Sequence, residues 1–431
     1  MKLTKMSRLI VYPSHIFGTI TAPPSKSYTH RAFILAMLAK GKSRIENPLI
    51  SLDTLATIEG IKTLGAKVER TNDVWIVEGT GGKISPKKDV IDARNSGTTM
   101  RLLSAVAALS PKRLKITGDE SLLKRPMGPL IEALRTLGAD AKCEGEKGRP
   151  PVIVGGGLRA GSVGLPGNVS SQFISALLIA ATQLQGETEI EIEGELVSRP
   201  YVEITLELLK LAGSDVKHSP DFRKFRIRGG PLKPLNIKIP GDFSSSSFPL
   251  VAGAITRSKV RIENLDFEGP QGDKRIVDFL RDFGAELRVG RNYVEIFGES
   301  LEGTELDCKD NPDLVPPLAV AGSVAEGKTE IVNVPHLRAK ESDRLHVLAI
   351  GLEKFGVKIK ELPDGLRIWG VEKLRGAHVS SFMDHRMAMA FAVAGLVAEG
   401  ETVVEGAESI PVSYPNFVED MKKLGAKMEL V

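Results

Sequence analysis

The chain has 431 residues, 42% of them hydrophobic and 26% charged, with a formal net charge of +4. This is an ordinary soluble globular composition with enough apolar residues for a large core, and the charge is too small for the length to argue for nucleic acid. Its two cysteines, Cys143 and Cys308, are far apart in no C-x-x-C pattern, which speaks against a disulfide scaffold or zinc site and for a reducing compartment. The longest apolar runs, such as 388–397, are too short to span a bilayer. The N-terminus has no apolar signal core. These features predict a cytoplasmic enzyme or binding protein.

Length alone suggests about three domains, but an internal repeat overrides that. Leu64-Gly65-Ala66 recurs as Leu137-Gly138-Ala139 and Leu424-Gly425-Ala426, with degraded copies at Ala212-Gly213-Ser214, Phe283-Gly284-Ala285 and Phe355-Gly356-Val357. Successive glycines are 69 to 75 residues apart. A fixed period means one folding unit used six times.

In chain order, apolar segments rich in Ala fall at 31–39, 101–109, 172–184, 248–256, 314–325 and 386–398. Apolar on most of their surface, they predict buried helices. Turns and β-branched strands follow several of them, as at 41–45, 327–331 and 400–404. Amphipathic helices come next, as at 129–137, 277–283 and 417–424, each ended by a repeat glycine suited to the left-handed C-terminal cap. Alternating strands such as 73–77 complete the unit. The expected fold is therefore α/β, with six strand–helix–strand–helix–strands units, three per domain, and buried helices inside surrounding sheets. Gly322 to Thr329 matches a phosphate-binding P-loop letter for letter. That loop needs a strand before it and a helix after it, and here the order is reversed.

The starts of the six buried helices are polar and differ from copy to copy. They read Ser25-Lys26-Ser27 with Arg31, Asn95-Ser96-Gly97-Thr98, Ser170-Ser171-Gln172, Asp242 with a serine run, Asn311-Pro312-Asp313 and Asp384-His385-Arg386. Capping accounts for one residue per helix. It does not account for lysine and arginine at the positive end of a helix dipole, which instead suit a bound anion. Asp242 and its serines suit a cap or an interdomain turn. The amphipathic helices open with a second set: Lys124-Arg125-Pro126-Met127, Ser198-Arg199-Pro200-Tyr201, and Arg338 to Arg344 with Lys340 and Glu341. Lys26, Arg31, Arg125, Lys340, Arg344 and Arg386 are thus candidate anion ligands, enough for two polyanionic molecules, with Asp313 and Glu341 as acid and base among them. The histidines show no metal-ligand spacing, so metal-free group transfer between small phosphorylated or carboxylated molecules is expected.

Taken in order, these motifs, with Lys340-Glu341-Ser342-Asp343-Arg344 and Asp384-His385-Arg386-Met387-Ala388-Met389, resemble the family of 5-enolpyruvylshikimate-3-phosphate synthase (3-phosphoshikimate 1-carboxyvinyltransferase) from about residue 13 onward. The resemblance implies a two-domain inside-out α/β barrel. One domain would comprise 1–21 and 240–431 and the other 22–239, with crossovers near 21–24 and 239–242. It implies transfer of the enolpyruvyl group of phosphoenolpyruvate to the 5-hydroxyl of shikimate 3-phosphate, by a monomer with no cofactor and with neither nucleic acid nor membrane as partner. By the same resemblance, Lys26, Ser27, Arg31, Ser170, Ser171, Gln172, Ser198, Tyr201, Asp313, His336 and Lys340 would hold shikimate 3-phosphate. Lys26, Gly97, Arg125, Gln172, Arg344 and Arg386 would hold phosphoenolpyruvate. Asp313, Glu341 and Lys26 would be catalytic. The chain departs from the family pattern at Val412, where lysine is common, at His336, where asparagine is frequent, and at Leu102, where proline is common. The related transferase that acts on UDP-N-acetylglucosamine usually has a reactive loop cysteine, and neither Cys143 nor Cys308 matches it. A non-catalytic anion-binding repeat protein would not need Asp313 and Glu341 among its cations.

Overall fold

The computed structural model of the chain describes residues 7–431; residues 1–6 of the expected segment 1–21 lie outside it. Among the described residues, twelve α-helices follow one another in two alternating kinds. They are α1 (Lys26–Leu38), α2 (Leu52–Thr63), α3 (Gly97–Ala107), α4 (Gly128–Thr136), α5 (Ser171–Ala181), α6 (Arg199–Leu211), α7 (Phe243–Ile255), α8 (Ile276–Asp282), α9 (Val315–Val324), α10 (Arg344–Lys354), α11 (His385–Gly395) and α12 (Phe417–Lys423). The odd-numbered helices are the apolar ones. Every residue of α7 and α11 is buried, and a fully buried Leu, Ile, Val or Phe contributes about 1.5–3 kcal/mol. The even-numbered helices are amphipathic and end at the repeat glycines. Gly65, Gly138, Gly213, Gly284, Gly356 and Gly425 all have positive φ, and Ala66 and Ala139 N–H groups reach back to the Ile61 and Leu134 carbonyls. This is the cap that residues with a Cβ adopt only under strain.

The described residues form six four-stranded sheets, one to a repeat, and a two-stranded one of Leu374–Arg375 and Ala398–Glu399, in the α/β class expected. In the first, Asn236–Lys238 pairs parallel with Lys42–Glu46, which pairs antiparallel with Val74–Glu78, and Lys67–Thr71 closes the other edge. The other four-stranded sheets repeat this pattern of one parallel and two antiparallel pairings. In the sheet of the last repeat the strand Arg8–Tyr12 lies between Thr402–Glu405 and Lys427–Leu430. The chain divides into two compact units, residues 1–23 with 240–431, and residues 24–239. Each has its own core, built on α1, α3 and α5 in one and on α7, α9 and α11 in the other.

One feature of the helices differs from the pattern in the sequence. α1, α3 and α7 begin at Lys26, Gly97 and Phe243, upstream of the apolar runs that start at 31, 101 and 248. For α3 and α7 the caps decide this. Ser96 Oγ accepts the Thr99 N–H at 3.1 Å and Asp242 Oδ1 accepts the Ser244 N–H at 2.8 Å. The polar residues therefore occupy the first helical turn instead of preceding it, and Asp242 is a cap.

Close packing sets a further constraint where α10 crosses α11. A Cβ on Gly351 would lie 2.1 Å from Cζ of Phe391, whose ring is fully buried. Gly351→Ala should therefore destabilise the fold by about 1–3 kcal/mol, despite alanine's better helix propensity. Urea midpoints of the two proteins measure it, and an unchanged or raised midpoint would contradict this packing.

Candidate active site

In the unit of residues 24–239, the starts of five helices are joined by polar side chains. Lys26, in the first turn of α1, meets Asp53 Oδ2 at 3.2 Å. Arg31, one turn further, is 1% exposed. It donates to Thr205 Oγ1 at 2.7 Å and to the Ser27 and Tyr201 carbonyls at 3.0 and 3.1 Å. A weaker bond runs to Ser175 Oγ at 3.4 Å. These acceptors are hydroxyls and carbonyls, with no carboxylate among them, and burial lowers the guanidinium pKa to about 10. A buried cation held this way is arranged for an anionic partner.

The start of α3 is held on two further sides. Gln172, in the first turn of α5, donates from Nε2 to Thr98 Oγ1 at 2.9 Å and accepts from Arg101 Nη1 at 2.8 Å. Arg125, which is buried, donates to Asn95 Oδ1 at 2.7 Å and Ser121 Oγ at 3.3 Å. A Cβ on Gly97 would stand 3.1 Å from Arg125 Nη1 and 3.5 Å from Arg101 Nη1. Glycine thus leaves room for two guanidinium groups beside a helix start, and their charge with the helix dipole suits an anion. Ser170 caps α5 through the Gln172 N–H and also lies 3.5 Å from Arg101 Nη1, with Ser171 next to it as the first helical residue. Ser198, before α6, is buried with φ of 55°, an unusual conformation for a residue with a side chain. Arg101 and Asp53 belong to this group and were not among the residues marked out by the sequence.

The unit with residues 240–431 holds a different arrangement. Arg344, 1% exposed, opens α10. Its Nε donates to Asp384 Oδ2 at 2.8 Å, Nη1 to Asp313 Oδ1 at 2.9 Å, and Nη2 to Glu341 Oε2 at 2.9 Å and Asp384 Oδ1 at 3.3 Å. Four of its five N–H groups are thus engaged. Burial alone would lower its pKa, but Asp384, then Glu341 and Asp313, raise it. Arg386 pairs with Asp313 Oδ2 at 2.9 Å and with the Asp313 carbonyl at 3.2 Å. Asp384 also caps α11 through the Arg386 N–H and accepts from Ser342 Oγ at 3.0 Å. Asp273, buried nearby, accepts from Ser244 Oγ and from Asn311 Nδ2. Burial, then the charge of Asp313, pushes its pKa up to about 6. Asp384 and Asp273 are further members that the sequence pattern did not single out as acids.

Of the cations expected to serve bound anions, Arg31 donates to hydroxyls and carbonyls, Lys26 and Arg386 each meet one carboxylate, and Arg344 is surrounded by three. His336 lies in a 3-10 turn, Pro335–Ala339, that leads to Lys340. It is buried, and neither ring nitrogen has a hydrogen-bond partner. Burial, then Lys340, brings its pKa down to about 3 against a smaller opposing effect of Asp313. Val412 is buried at the end of a 3-10 segment, Ala407–Val412. Arg338 points elsewhere, to Asp343 and Glu361 at 2.9 and 2.6 Å.

The fold is that of enolpyruvyl transferases. The enolpyruvyl transferase NikO of Streptomyces tendae superposes with a TM-score of 0.79, covering 99% of both chains at 19% identity, a likeness of fold alone. EPSP synthase of Acinetobacter baumannii superposes with a TM-score of 0.82 at 31% identity, covering 99% of this chain and 100% of that one. The model of the family EPSP synthase (3-phosphoshikimate 1-carboxyvinyltransferase) matches residues 11–421. The 3-phosphoshikimate 1-carboxyvinyltransferases of Methanocaldococcus jannaschii and Methanothrix thermoacetophila are 46% and 48% identical to the chain, each match covering 96% of it and 97% of the relative. The chain belongs to the EPSP synthase family.

The neutral state of His336 has a measurable consequence. An unfolded histidine takes up a proton near pH 6.5, and the folded one does not until about pH 3. The unfolded state thus binds more protons below pH 6.5, so stability present above that pH is lost as pH falls. His336→Asn removes this contribution. Between pH 7 and pH 5 the variant should lose less stability than the parent, by up to about 2 kcal/mol, as read from urea midpoints. Equal losses would show that His336 titrates normally in the folded chain.

Proposed function

We propose that Asp313, Glu341 and Lys26 carry the proton and charge transfers by which the chain acts, and that the anion ligands described above bind its two substrates. The chain transfers the enolpyruvyl group of phosphoenolpyruvate to the 5-hydroxyl of shikimate 3-phosphate, releasing phosphate. The observation that carries the assignment of roles is the buried Arg344, which holds Asp313, Glu341 and Asp384 around one guanidinium. It orients Asp313 and Glu341, while Asp384 is committed to the cap of α11.

In the proposed sequence, Asp313 takes the proton of the 5-hydroxyl as that oxygen attacks C2 of phosphoenolpyruvate. Glu341 in its protonated form gives a proton to C3, which becomes a methyl group. A tetrahedral intermediate results, bearing both the new ether and the phosphate on C2. Glu341 then takes a proton back from the methyl group as the C2–O bond to phosphate breaks. Lys26 neutralises the departing phosphate. Positioned acids and bases of this kind contribute about 10²–10⁴ in rate.

Lys26, Ser27, Arg31, Ser170, Ser171, Gln172, Ser198, Tyr201, Asp313, His336 and Lys340 would bind shikimate 3-phosphate. Arg31 suits its phosphate, being a buried guanidinium whose own acceptors are neutral. Neutral His336 offers one donor and one acceptor, the same pair that an asparagine side chain would present, and both nitrogens are unpartnered. Lys26, Gly97, Arg125, Gln172, Arg344 and Arg386 would bind phosphoenolpyruvate, with the start of α3 and Arg125 receiving a phosphate or carboxylate. Two free thiols support a reducing, cytoplasmic setting. No helix among the described residues is long and apolar enough to cross a membrane. Exposed large apolar side chains such as Phe17, Val90 and Leu211 are scattered along the chain, which supports action as a monomer.

Glu341→Gln removes the proton donor while Arg344 keeps two carboxylate partners. Turnover should fall by at least about 10², with shikimate 3-phosphate affinity, read by calorimetry, within about threefold of the parent. Near-normal turnover would remove Glu341 from the proposed chemistry.

A further inference from the structure

Beneath the start of α3 runs a buried chain of neutral polar side chains with no part in the proton transfers above. His30 Nδ1 lies 2.7 Å from Thr57 Oγ1, and Thr57 Oγ1 lies 2.6 Å from Thr99 Oγ1. Thr99 Oγ1 in turn reaches Ser96 Oγ at 2.8 Å and the Asp53 carbonyl at 3.3 Å. His30, Thr57, Ser96 and Thr99 are all fully buried. The carbonyl at the end of the chain can only accept, so Thr99 donates its proton there or to Ser96. Thr57 then donates to Thr99, and His30 donates from Nδ1 to Thr57. Nε2 is left as a buried acceptor without a partner. Burial, then the charges of Lys26 and Arg31, keeps this imidazole neutral.

The chain links three elements that carry substrate ligands. His30 sits between Lys26 and Arg31 on α1, Thr57 is one turn beyond Asp53 on α2, and Thr99 and Ser96 flank Gly97 and Thr98. Ser96 is the cap of α3 and accepts the Thr99 N–H, and its Oγ is bonded in turn to the Thr99 hydroxyl that pairs with Thr57. From the other side, Thr98 is held by Gln172 and Asn95 by Arg125. The short turn is thereby clamped from within by threonines and from without by the ligand residues themselves. We propose that His30, Thr57 and Thr99 are positioning residues that set the Gly97–Thr98 turn for phosphoenolpyruvate and leave shikimate 3-phosphate binding untouched.

This rests on the assignment of phosphoenolpyruvate to Gly97 and Arg125, and one set of steady-state measurements separates the two. Thr57→Val and Thr99→Val remove the hydroxyls at nearly constant volume. Each should raise KM for phosphoenolpyruvate by at least tenfold, with KM for shikimate 3-phosphate within twofold of the parent. Thr57→Ser and Thr99→Ser, which keep the hydroxyls, should stay near the parent for both. The double valine variant should be little worse than either single one, because both break the same chain. Arg125→Ala tests the assignment itself. If it leaves KM for phosphoenolpyruvate unchanged, the assignment falls. If it raises that KM and the valine variants do not, the positioning role alone falls. Equal rises in both KM values in the valine variants would also overturn it, since a loosened fold would act on both substrates. Should the valine variants not fold, Thr57→Ala against Thr57→Ser reads the same split.

Discussion

A helix that is apolar on every side still begins with backbone N–H groups that no carbonyl of its own can reach. Six such helices form the two cores, and their starts are where polar groups must be brought together. In residues 24–239, Asp53, Ser170 and Gln172 bind one helix start to another. In the other unit Asp384, Asp313 and Asp273 do so, with Arg344, Arg386 and Asn311 between them. Positive ends of dipoles and buried polar side chains therefore share one place in each unit, which is where the proposed substrate ligands lie.

The two units hold their buried arginines differently. Around α1, α3 and α5, Arg31 donates to hydroxyls and carbonyls and Arg125 to Asn95 and Ser121. Around α9, α10 and α11, Arg344 is surrounded by Asp313, Glu341 and Asp384 and holds them in place. Enolpyruvyl transfer calls on both kinds of group. The phosphates of the two substrates need cations that are not already satisfied, and the movement of protons to and from carbon and oxygen needs carboxylates with fixed geometry.

How far the sequence shows this depends on the distance over which each feature is determined. The repeat glycines are legible because a left-handed cap is a local requirement, and all six are observed with positive φ. The apolar helices are legible because nothing but burial suits them. Their exact starts are not, since Ser96 and Asp242 draw the polar residues into the first turn. Lys26, Arg31 and Arg125 stand out as cations in unfavourable places along the chain. Arg101 and Asp53 do not stand out, because their role appears only when α5 lies against α3 and α1 beside α2. Likewise the commitment of Arg344 to three carboxylates depends on Asp313 and Asp384, 31 and 40 residues away in sequence, and no pattern within either motif predicts it. His336 departs from the family pattern in sequence, yet in the structure its neutral ring presents the same kinds of hydrogen-bonding group.

The account turns on Glu341 giving a proton to C3 of phosphoenolpyruvate and later taking one back from the resulting methyl group. The direct test is to run the reaction to completion in D₂O with unlabelled substrates and to examine the vinyl group of the product by mass spectrometry and NMR. A proton delivered from an exchangeable carboxyl is then a deuteron, and removal of one of three methyl hydrogens leaves deuterium behind in a large share of the product. Deuterium should therefore appear at the vinyl carbon. A product with no deuterium there, formed at the normal rate, would show that C3 is never protonated and would contradict it.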